Sequence, residues 1–438
     1  MQRVFVLDKN KQALMPTSPA RARKLLKKGM AAIFRRYPFT IILLDREGGE
    51  KQPLAFKVDP GSRTTGMVLV ADFLRGKRVI WAAELTHRGQ QIKKALLSRR
   101  QLRRGRRGRK TRYRKPRFDN RTRPKGWLPP SLQSRVDNVT IWLSRLRRFC
   151  PITSISQELV RFDMQLMGNA EISGVAYQQG DLYGYEVREY LLEKWGRKCA
   201  YCGVENVPLE IEHIVPKSRG GSNRVSNLTI ACNPCNVAKN SQTAAEFGHP
   251  GIQAKAKKPL KDAAAVNATR WTLWRELEAT RLPVEAGTGG QTKFNRRKQN
   301  YPKTHWLDAA CVGRSGSDVF IHPKLKPLLI KSVGRGSRQM CRMDKFGFPR
   351  TKPKQFKRVH GFQTGDIVKA IVPNGKKAGT HIGRAAVRAK GSFRIGTVDG
   401  INWKYCQMLQ PVDGYDYLML DQPTEVGGLP SAVFSSQG

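Results

Sequence analysis

"CAYCGVENVPLEIEHIVPKSRGGSNRVSNLTIACNPCNVAKN", residues 199–240, sets a short acidic-histidine stretch between two Cys-x-x-C pairs. With 29 residues between them, the pairs have the spacing of a tetrahedral zinc site: Cys199 and Cys202 close one knuckle, Cys232 and Cys235 the other. Four thiolates fill the ion's coordination, so the zinc is structural. Chemistry falls to what the knuckles hold in place. Glu212 and His213 end the apolar run "PLEIEH", a basic glycine-rich loop follows, and Asn236 and Lys239 stand in "CNVAKN", read as the opening of a helix. Asn227 is read as a residue that fixes the loop.

The surrounding composition narrows the partner. The chain has 438 residues, with 81 Lys+Arg against 33 Asp+Glu and a formal charge of +48. Solubility needs only a few net charges, so a polyanion is expected. The basic residues lie among Gly, Pro and Arg rather than on an amphipathic helix faced by Trp and Leu, which favours nucleic acid over a membrane surface. The longest apolar run, "FTIILL", is far short of the about 18 residues of a span, and the expected location is the prokaryotic cytoplasm, with no membrane partner. Cys150, Cys311, Cys341 and Cys406 are scattered and read as ordinary thiols of a reducing compartment.

Outward from the cysteine module, residues 3–45 read strand, turn, helix, strand, with Ser18 as N-cap, Pro19 at the first helical position and Gly29 as C-cap. Residues 55–85 form three β-rich runs separated by glycine-containing turns, an antiparallel hairpin series. From Arg88 to Lys125 there are eighteen Lys or Arg and one acid, Asp119. Arginines at i and i+4 repel, so this segment is a poor isolated helix that requires an anion. Residues 131–150 read as a helix, 152–163 as an apolar-alternating run, 259–281 as a helix and "EAGTGG" (285–290) as a turn. Beyond residue 323 the chain reads as a small, basic, barrel-like β domain with turns at "NGKKAG" (374–379) and "DGIN" (399–402).

The module at 199–240 resembles the HNH nucleases, a ββα-metal motif in which an acid-His pair ends the first strand and an Asn or His on the helix completes a divalent-ion site. The resemblance implies that His213 takes a proton from the attacking water, that Glu212 and Asn236 hold Mg²⁺, and that Lys239 neutralises the phosphate. Three further acids follow a second pattern. "KVDPGSRTTG" puts Asp59 at a strand end and resembles the first motif of the RNase H-like RuvC fold. "ISQELV" puts Glu158 on an apolar-alternating strand, where an inward acid is costly without a metal or a base. "HWLDAACV" sets His305 and Asp308 one helical turn apart and resembles the third RuvC motif, with His305 a candidate general base beside two Mg²⁺ ions.

The order of these parts, an arginine-rich segment after the first acid and an HNH module between the second and third, resembles the CRISPR type II effector nucleases and their compact transposon-encoded relatives, the IscB proteins. Length selects the latter. The N-terminal stretch "ALMPTSPARARKLLKKG" keeps Leu14, Met15 and Pro16 of the family's Pro-Leu-Met-Pro signature and has Ala13 in its first place. The expected fold is a multidomain α/β protein. An RNase H-like (RuvC) core is split by an arginine-rich bridge helix and an inserted ββα-metal HNH module with structural zinc, and a small β-rich C-terminal domain follows.

The expected boundaries are 1–50 for the N-terminal module, 51–87, 126–183 and 246–322 for the three RuvC parts, 88–125 for the bridge, 184–245 for HNH and 323–438 for the last domain. The resemblance implies a monomeric protein bound to a guide RNA, cutting double-stranded target DNA beside a short flanking motif. The phosphate contacts would come from Arg99, Arg100, Arg103, Arg104, Arg106, Arg107, Arg109, Lys110, Arg112 and Arg114. His213 would serve the guide-paired strand, and Asp59, Glu158 and Asp308 the displaced one. Two rivals stay open: an HNH enzyme guided by protein alone, which has no need of the extra acids, and a non-catalytic zinc-ribbon RNA-binding protein, which leaves His213 without a role.

Overall fold

The computed structural model describes residues 2–108, 126–159, 185–258, 263–334, 344–346, 348–352 and 356–419. Its centre is built from the three apolar runs. Leu54–Asp59, Thr64–Phe73 and Gly76–Thr86 pair antiparallel in sequence order. Leu54, Phe56 and Val58 alternate with Lys57 and Asp59, and both sets are covered, as they must be in a central strand with layers on each side. Ser154–Glu158 joins the first strand in parallel, and Val284–Gly287 joins Ser154–Glu158 in parallel. At the other edge Leu328–Ser332 runs parallel to Gly76–Thr86 and Tyr415–Met419 closes the sheet antiparallel, giving seven strands.

One face packs against the helix Pro130–Arg147 through Val136, Val139, Trp142, Leu143 and Leu146, with Leu273 and Leu277 of the helix Ala263–Glu278 beside them. Trp142 stacks on Trp81 of the sheet with centroids 6.1 Å apart. The opposite face, bearing Val68, Val70 and Ala82, is covered by the short helix His305–Ala310. That helix lies unusually low on the sheet because Gly66 has no side chain: a Cβ there would sit 1.8 Å from the His305 carbonyl oxygen. The close approach sets the helix beside the end of Leu54–Asp59.

The N-terminal module has two more strands than expected, Ala13–Thr17 and Ala31–Arg35. Ala13–Thr17, the stretch holding Leu14, Met15 and Pro16, forms an edge strand of a four-stranded sheet, and Pro16 is tolerated at an edge because its missing donor breaks no ladder bond between two strands. Ser18 caps the helix Pro19–Lys27 by accepting from Arg21 N at 3.3 Å, and Gly29 follows the helix end with φ 67°. The arginine-rich segment is helical over Gly89–Gly108; Arg109, Lys110, Arg112 and Arg114 lie outside the described residues. Helicity despite repulsion is supported locally by Arg99 and Arg103, whose Nε groups donate to the carbonyls one turn back at 3.1 and 3.2 Å.

Three expectations about the later chain change. "EAGTGG" is the end of strand Val284–Gly287 and the start of helix Gly289–Lys298, capped by Thr288, rather than a turn. "DGIN" lies within strand Val398–Asn402, not at a turn. The region after residue 323 is not one separate β unit, since Leu328–Ser332 and Tyr415–Met419 belong to the central sheet. Between them an antiparallel five-stranded sheet spans residues 367–410, with Val398–Asn402 and Cys406–Gln410 as unpaired edges, so the sheet is open rather than barrel-closed. "NGKKAG" does join two of its strands.

Gly66→Ala should push helix His305–Ala310 off the sheet, and overpacking of this kind costs about 1–3 kcal/mol or more. A lower thermal midpoint is expected, whereas Gly105→Ala, on an open helical surface, should leave the midpoint unchanged or raise it. Equal midpoints for Gly66→Ala and the parent would show that the contact does not constrain the helix.

Candidate functional site

The cysteine module folds as two antiparallel strands, Leu209–His213 and Leu228–Cys232, followed by the helix Asn233–Lys239. The sulfurs of Cys199, Cys202, Cys232 and Cys235 all lie within 4.8 Å of one another, and Cys202 and Cys232 are 3.7 Å apart. A tetrahedron with bonds of about 2.3 Å has an edge of about 3.8 Å, so the cluster fits a zinc ion held by four thiolates. Burial raises the Cys199 thiol, but backbone N–H groups of Cys232, Cys202 and Tyr201 outweigh it and bring it to about 7, whereas burial and the neighbouring thiols push Cys232 and Cys235 up. The cluster joins the strand ends to the helix start.

Register then places the acid-His stretch. His213 pairs with Leu228 at the mouth of the hairpin, half-buried, with Nε2 2.9 Å from Asn223 Oδ1. With the Asn223 oxygen accepting, Nε2 carries the proton and Nδ1 is left unprotonated. Asn227 fixes the loop: its Oδ1 accepts from Val215 N at 3.0 Å and its Nδ2 donates to the carbonyls of Val215 and Ser222 at 2.9 and 3.0 Å.

Glu212 and Lys239 differ from expectation. The Glu212 carboxylate accepts from Tyr201 Oη at 2.5 Å and pairs with Lys239 Nζ at 2.6 Å, the two side chains being 5% and 0% exposed. Lys239 also donates to the His213 carbonyl at 2.9 Å. Neither group faces open solvent, so here Lys239 holds the His213 backbone rather than a phosphate, and Glu212 is its counter-charge. Asn236 instead donates to Glu210 Oε2 at 2.7 Å, and Asn233 to Glu210 Oε1 at 3.2 Å. These bonds hold the Glu210 carboxyl below the usual carboxylate range. Glu210 was not singled out in the sequence, although the period of two along the strand places it on the same side as Glu212. An oxygen donor set at the helix is thus offered by Glu210 and the Asn236 amide.

The three separate acids converge. Asp59 and Glu158 end neighbouring parallel strands, and Asp308 projects from the helix over Gly66. Carboxyl ends of adjacent strands are where ligands bind in open α/β sheets. Burial, then the nearby Asp59 charge, raise the Glu158 carboxyl to about 8, with Arg270 opposing and Asp308 adding to the rise. Burial and Asp59 likewise raise Asp308 to about 6. Each acid leans on a base: His305 Nδ1 lies 3.2 Å from Asp59 Oδ2, Arg270 Nη2 3.4 Å from Glu158 Oε1 and Arg296 Nε 2.7 Å from Asp308 Oδ1. The hydrogen bond to Asp59 raises His305 above its ordinary value against the effect of burial. Buried acids that repel one another suit a divalent cation by their chemistry, though among the described residues only the four cysteines already lie within 4.8 Å of one another. Arg270 and Arg296 were not foreseen.

The arginine-rich helix presents Arg99, Arg100, Arg103, Arg104 and Arg106 to solvent, with Arg107 half-buried, and Arg106 also lies over the Phe348 ring at 5.5 Å. The run Arg103–Arg107 reads Arg-Arg-Gly-Arg-Arg.

Comparison with known proteins follows this division. The family described as RRXRR protein matches residues 4–180, and the family described as HNH endonuclease matches residues 199–250. The chain therefore carries an HNH endonuclease domain, the kind of module that hydrolyses phosphodiester bonds. No curated protein matches the chain. Among solved structures it is similar to Streptococcus thermophilus Cas9 in complex with the AGAA PAM, at 12% identity and TM-score 0.21 over 59% of this chain and 32% of that one. The same enzyme with the GGAA PAM gives 12% and 0.20 over the same shares. The Type II-C Cas9 from Actinomyces naeslundii gives 16% and 0.15 over 43% and 29%. The chain spans about a third of the length of these proteins.

Two outcomes are expected. Lys239→Met strands a buried Glu212 charge and should cost about 3–5 kcal/mol, most of it recovered in the Lys239→Met/Glu212→Gln double variant. Urea unfolding of the four proteins measures the coupling, and additive losses would contradict a buried pair. The second outcome concerns pH. An acid with a raised pKa binds more protons folded than unfolded, so its contribution is present below the unfolded value and lost as pH rises through about 8. Without divalent cations, stability should fall between about pH 5 and about pH 8, and Glu158→Gln should flatten that fall. Identical slopes would remove the repulsion.

Proposed function

We propose that this chain is an RNA-guided DNA endonuclease of the IscB type, with two separate centres. The observation that carries the reading is the convergence of Asp59, Glu158 and Asp308 at one end of the central sheet, with an HNH endonuclease domain spliced between the strands that end in Glu158 and Gly287. A protein-guided HNH enzyme has no use for that second acid cluster. The match to RRXRR proteins over residues 4–180 supports the same reading, because it takes in both the arginine-rich helix and the first two acids.

At the His213 centre, the imidazole Nδ1 takes a proton from water as it attacks the phosphodiester of the guide-paired strand, while Asn223 fixes the ring and Lys239 its backbone. Glu210 and Asn236 hold the oxygen donors toward the scissile phosphate, with Glu212 setting the charge behind them. At the second centre Asp59 orients His305 through Nδ1, leaving Nε2 to accept a proton during cutting of the displaced strand. Mg²⁺, where bound by Asp59, Glu158 and Asp308, would supply charge for the developing phosphorane oxygens and the leaving group. Arg99, Arg100, Arg103, Arg104, Arg106 and Arg107 bind guide-RNA phosphates, and residues beyond 323 read the flanking motif.

The test is a plasmid labelled separately on each strand, incubated with the RNA that co-purifies and Mg²⁺. His213→Ala should nick only the displaced strand and Asp59→Ala only the guide-paired strand, each lost cut falling by about 10²–10⁴-fold. Absence of any discrete co-purifying RNA, or loss of both cuts from either single substitution while DNA binding persists, would sink the reading.

A further inference from the structure

A cavity of about 640 Å³ lies between the N-terminal module, the central sheet and Leu409 of the C-terminal sheet, and none of the residues assigned above lines it. Its size falls among small-ligand pockets, about 300–1,000 Å³. The floor is apolar, with Phe5 and Trp81 buried beneath it. The mouth is apolar too and open to water: Ile33, Phe34 and Phe39 are 62%, 43% and 38% exposed.

The backbone explains why large apolar side chains stand there. Ala31–Arg35 is the edge strand of its sheet, and its pairing steps from Ile33↔Ile41 to Arg35↔Thr40, so Phe34 is the extra residue of a β-bulge. A bulge re-aims side chains that strict alternation would send to opposite faces, and Ile33 and Phe34 both line the cavity. Sheet edges are usually guarded by charge, whereas this one displays an isoleucine and a phenylalanine.

The charges around the mouth point one way. No acidic residue lines the cavity, while Arg3, Arg35 and Arg36 do. Arg35 is committed, to Asp413 at 3.0 Å and the Tyr37 carbonyl at 2.6 Å. Arg36 is exposed and has no acid partner among the described residues. Arg3 reaches only the Pro16 carbonyl, at 3.2 Å, and lies over Phe73. Burial and then the Arg78 charge disfavour its cationic form, so of the three lining arginines only Arg35 has a counter-ion among the described residues. An apolar peptide side chain would fill the floor and leave these cations further desolvated. A nucleotide answers both needs, with a flat base for the aromatic mouth and a phosphate for the arginines.

We propose that this cavity receives an unstacked nucleotide of a single-stranded RNA, its base against Phe34 and Phe39 and its phosphate toward Arg36 and Arg3. The choice of RNA over DNA rests on the guided reading; the nucleotide chemistry does not. The test uses the full chain, stripped of nucleic acid, and an unstructured oligoribonucleotide carrying 4-thiouridine, cross-linked by light and mapped by mass spectrometry. A cross-link within residues 31–39 is expected, and it should fall about tenfold in Phe34→Ala/Phe39→Ala and in Arg36→Glu, as loss of one stacked, phosphate-anchored base implies.

Cross-linking at the helix Gly89–Gly108 serves as the internal control and should not change. Cross-links at that helix with none at 31–39 would overturn the proposal. Equal displacement by DNA of the same sequence would overturn the RNA assignment, and a co-purifying polypeptide that alone protects 31–39 from hydrogen exchange would replace it. Strand cutting by the parent protein is scored separately, so an empty cavity and a failed guided reading give different results.

Discussion

The parallel pairing of Leu54–Asp59 with Ser154–Glu158 governs the arrangement of the whole chain. Antiparallel strands can be closed by a tight turn, but a parallel pair needs a long crossover. The crossover from Asp59 to Ser154 contains the antiparallel meander, the arginine-rich helix and the buried helix Pro130–Arg147. The second parallel pair, Ser154–Glu158 with Val284–Gly287, needs another crossover, and this one contains the whole cysteine module. Both insertions therefore enter where the topology already demands a long connection. The same pairing brings the ends of two distant segments side by side, which is how Asp59 and Glu158 become neighbours.

Buried charge is handled in two different ways on either side of this design. In the cysteine module Glu212 and Lys239 are satisfied within the protein, with Tyr201 and the His213 carbonyl taking the remaining bonds. Lys57, on the same face of the sheet as Asp59, is similarly enclosed: it donates to the Val312 carbonyl at 2.7 Å and to Ser315 Oγ at 2.5 Å, near Glu285. Burial is the main reason its ammonium falls to about 8. The Asp59, Glu158 and Asp308 group is different, because three like charges are brought together and the surrounding bases do not bring Glu158 or Asp308 back to ordinary values. Fully paired groups maintain shape; a group left in mutual repulsion has free energy available for a ligand.

Local signals were legible where they were dense. The Cys-x-x-C spacing, the alternation through Leu54–Thr86, Glu158 on its apolar strand and His305 one turn from Asp308 all depend on neighbours within a few residues. The failures are all tertiary. Nothing near "EAGTGG" announces a strand, because its hydrogen bonds come from Ser154–Glu158, and Gly287 is required by the Gly313 backbone, whose nitrogen would lie 2.4 Å from a Cβ. Leu328–Ser332 and Tyr415–Met419 carry no label of the sheet they complete. Glu212 could be recognised as an acid beside a histidine, but its partner is decided by Lys239 folding inward from a helix, and a lysine that is the one charge of a short helix gives no sign of being fully buried.

The charge distribution links these local arrangements to the whole molecule. At +48 the folded chain works against its own field, and compaction brings like charges closer than the unfolded chain would. Several of the described acids are already paired: Asp413 holds Arg35 and Arg145, Glu246 holds Arg219, and Asp399 holds Arg388. Among the described residues the arginines of Gly89–Gly108, and Arg3 and Arg36 at the cavity mouth, have no such acid partner, and they occupy a continuous helix and a rimmed hollow rather than scattered sites. Charge arranged in this way is costly while water and small ions alone screen it. It becomes favourable when one polyanion releases many counter-ions at once, because each phosphate contact then gains mixing entropy and relieves repulsion in the same step. On the proposed function, the nucleic acid completes the electrostatic balance of the fold as well as being its substrate, and the segments with least acid nearby are the ones whose order should depend on it most.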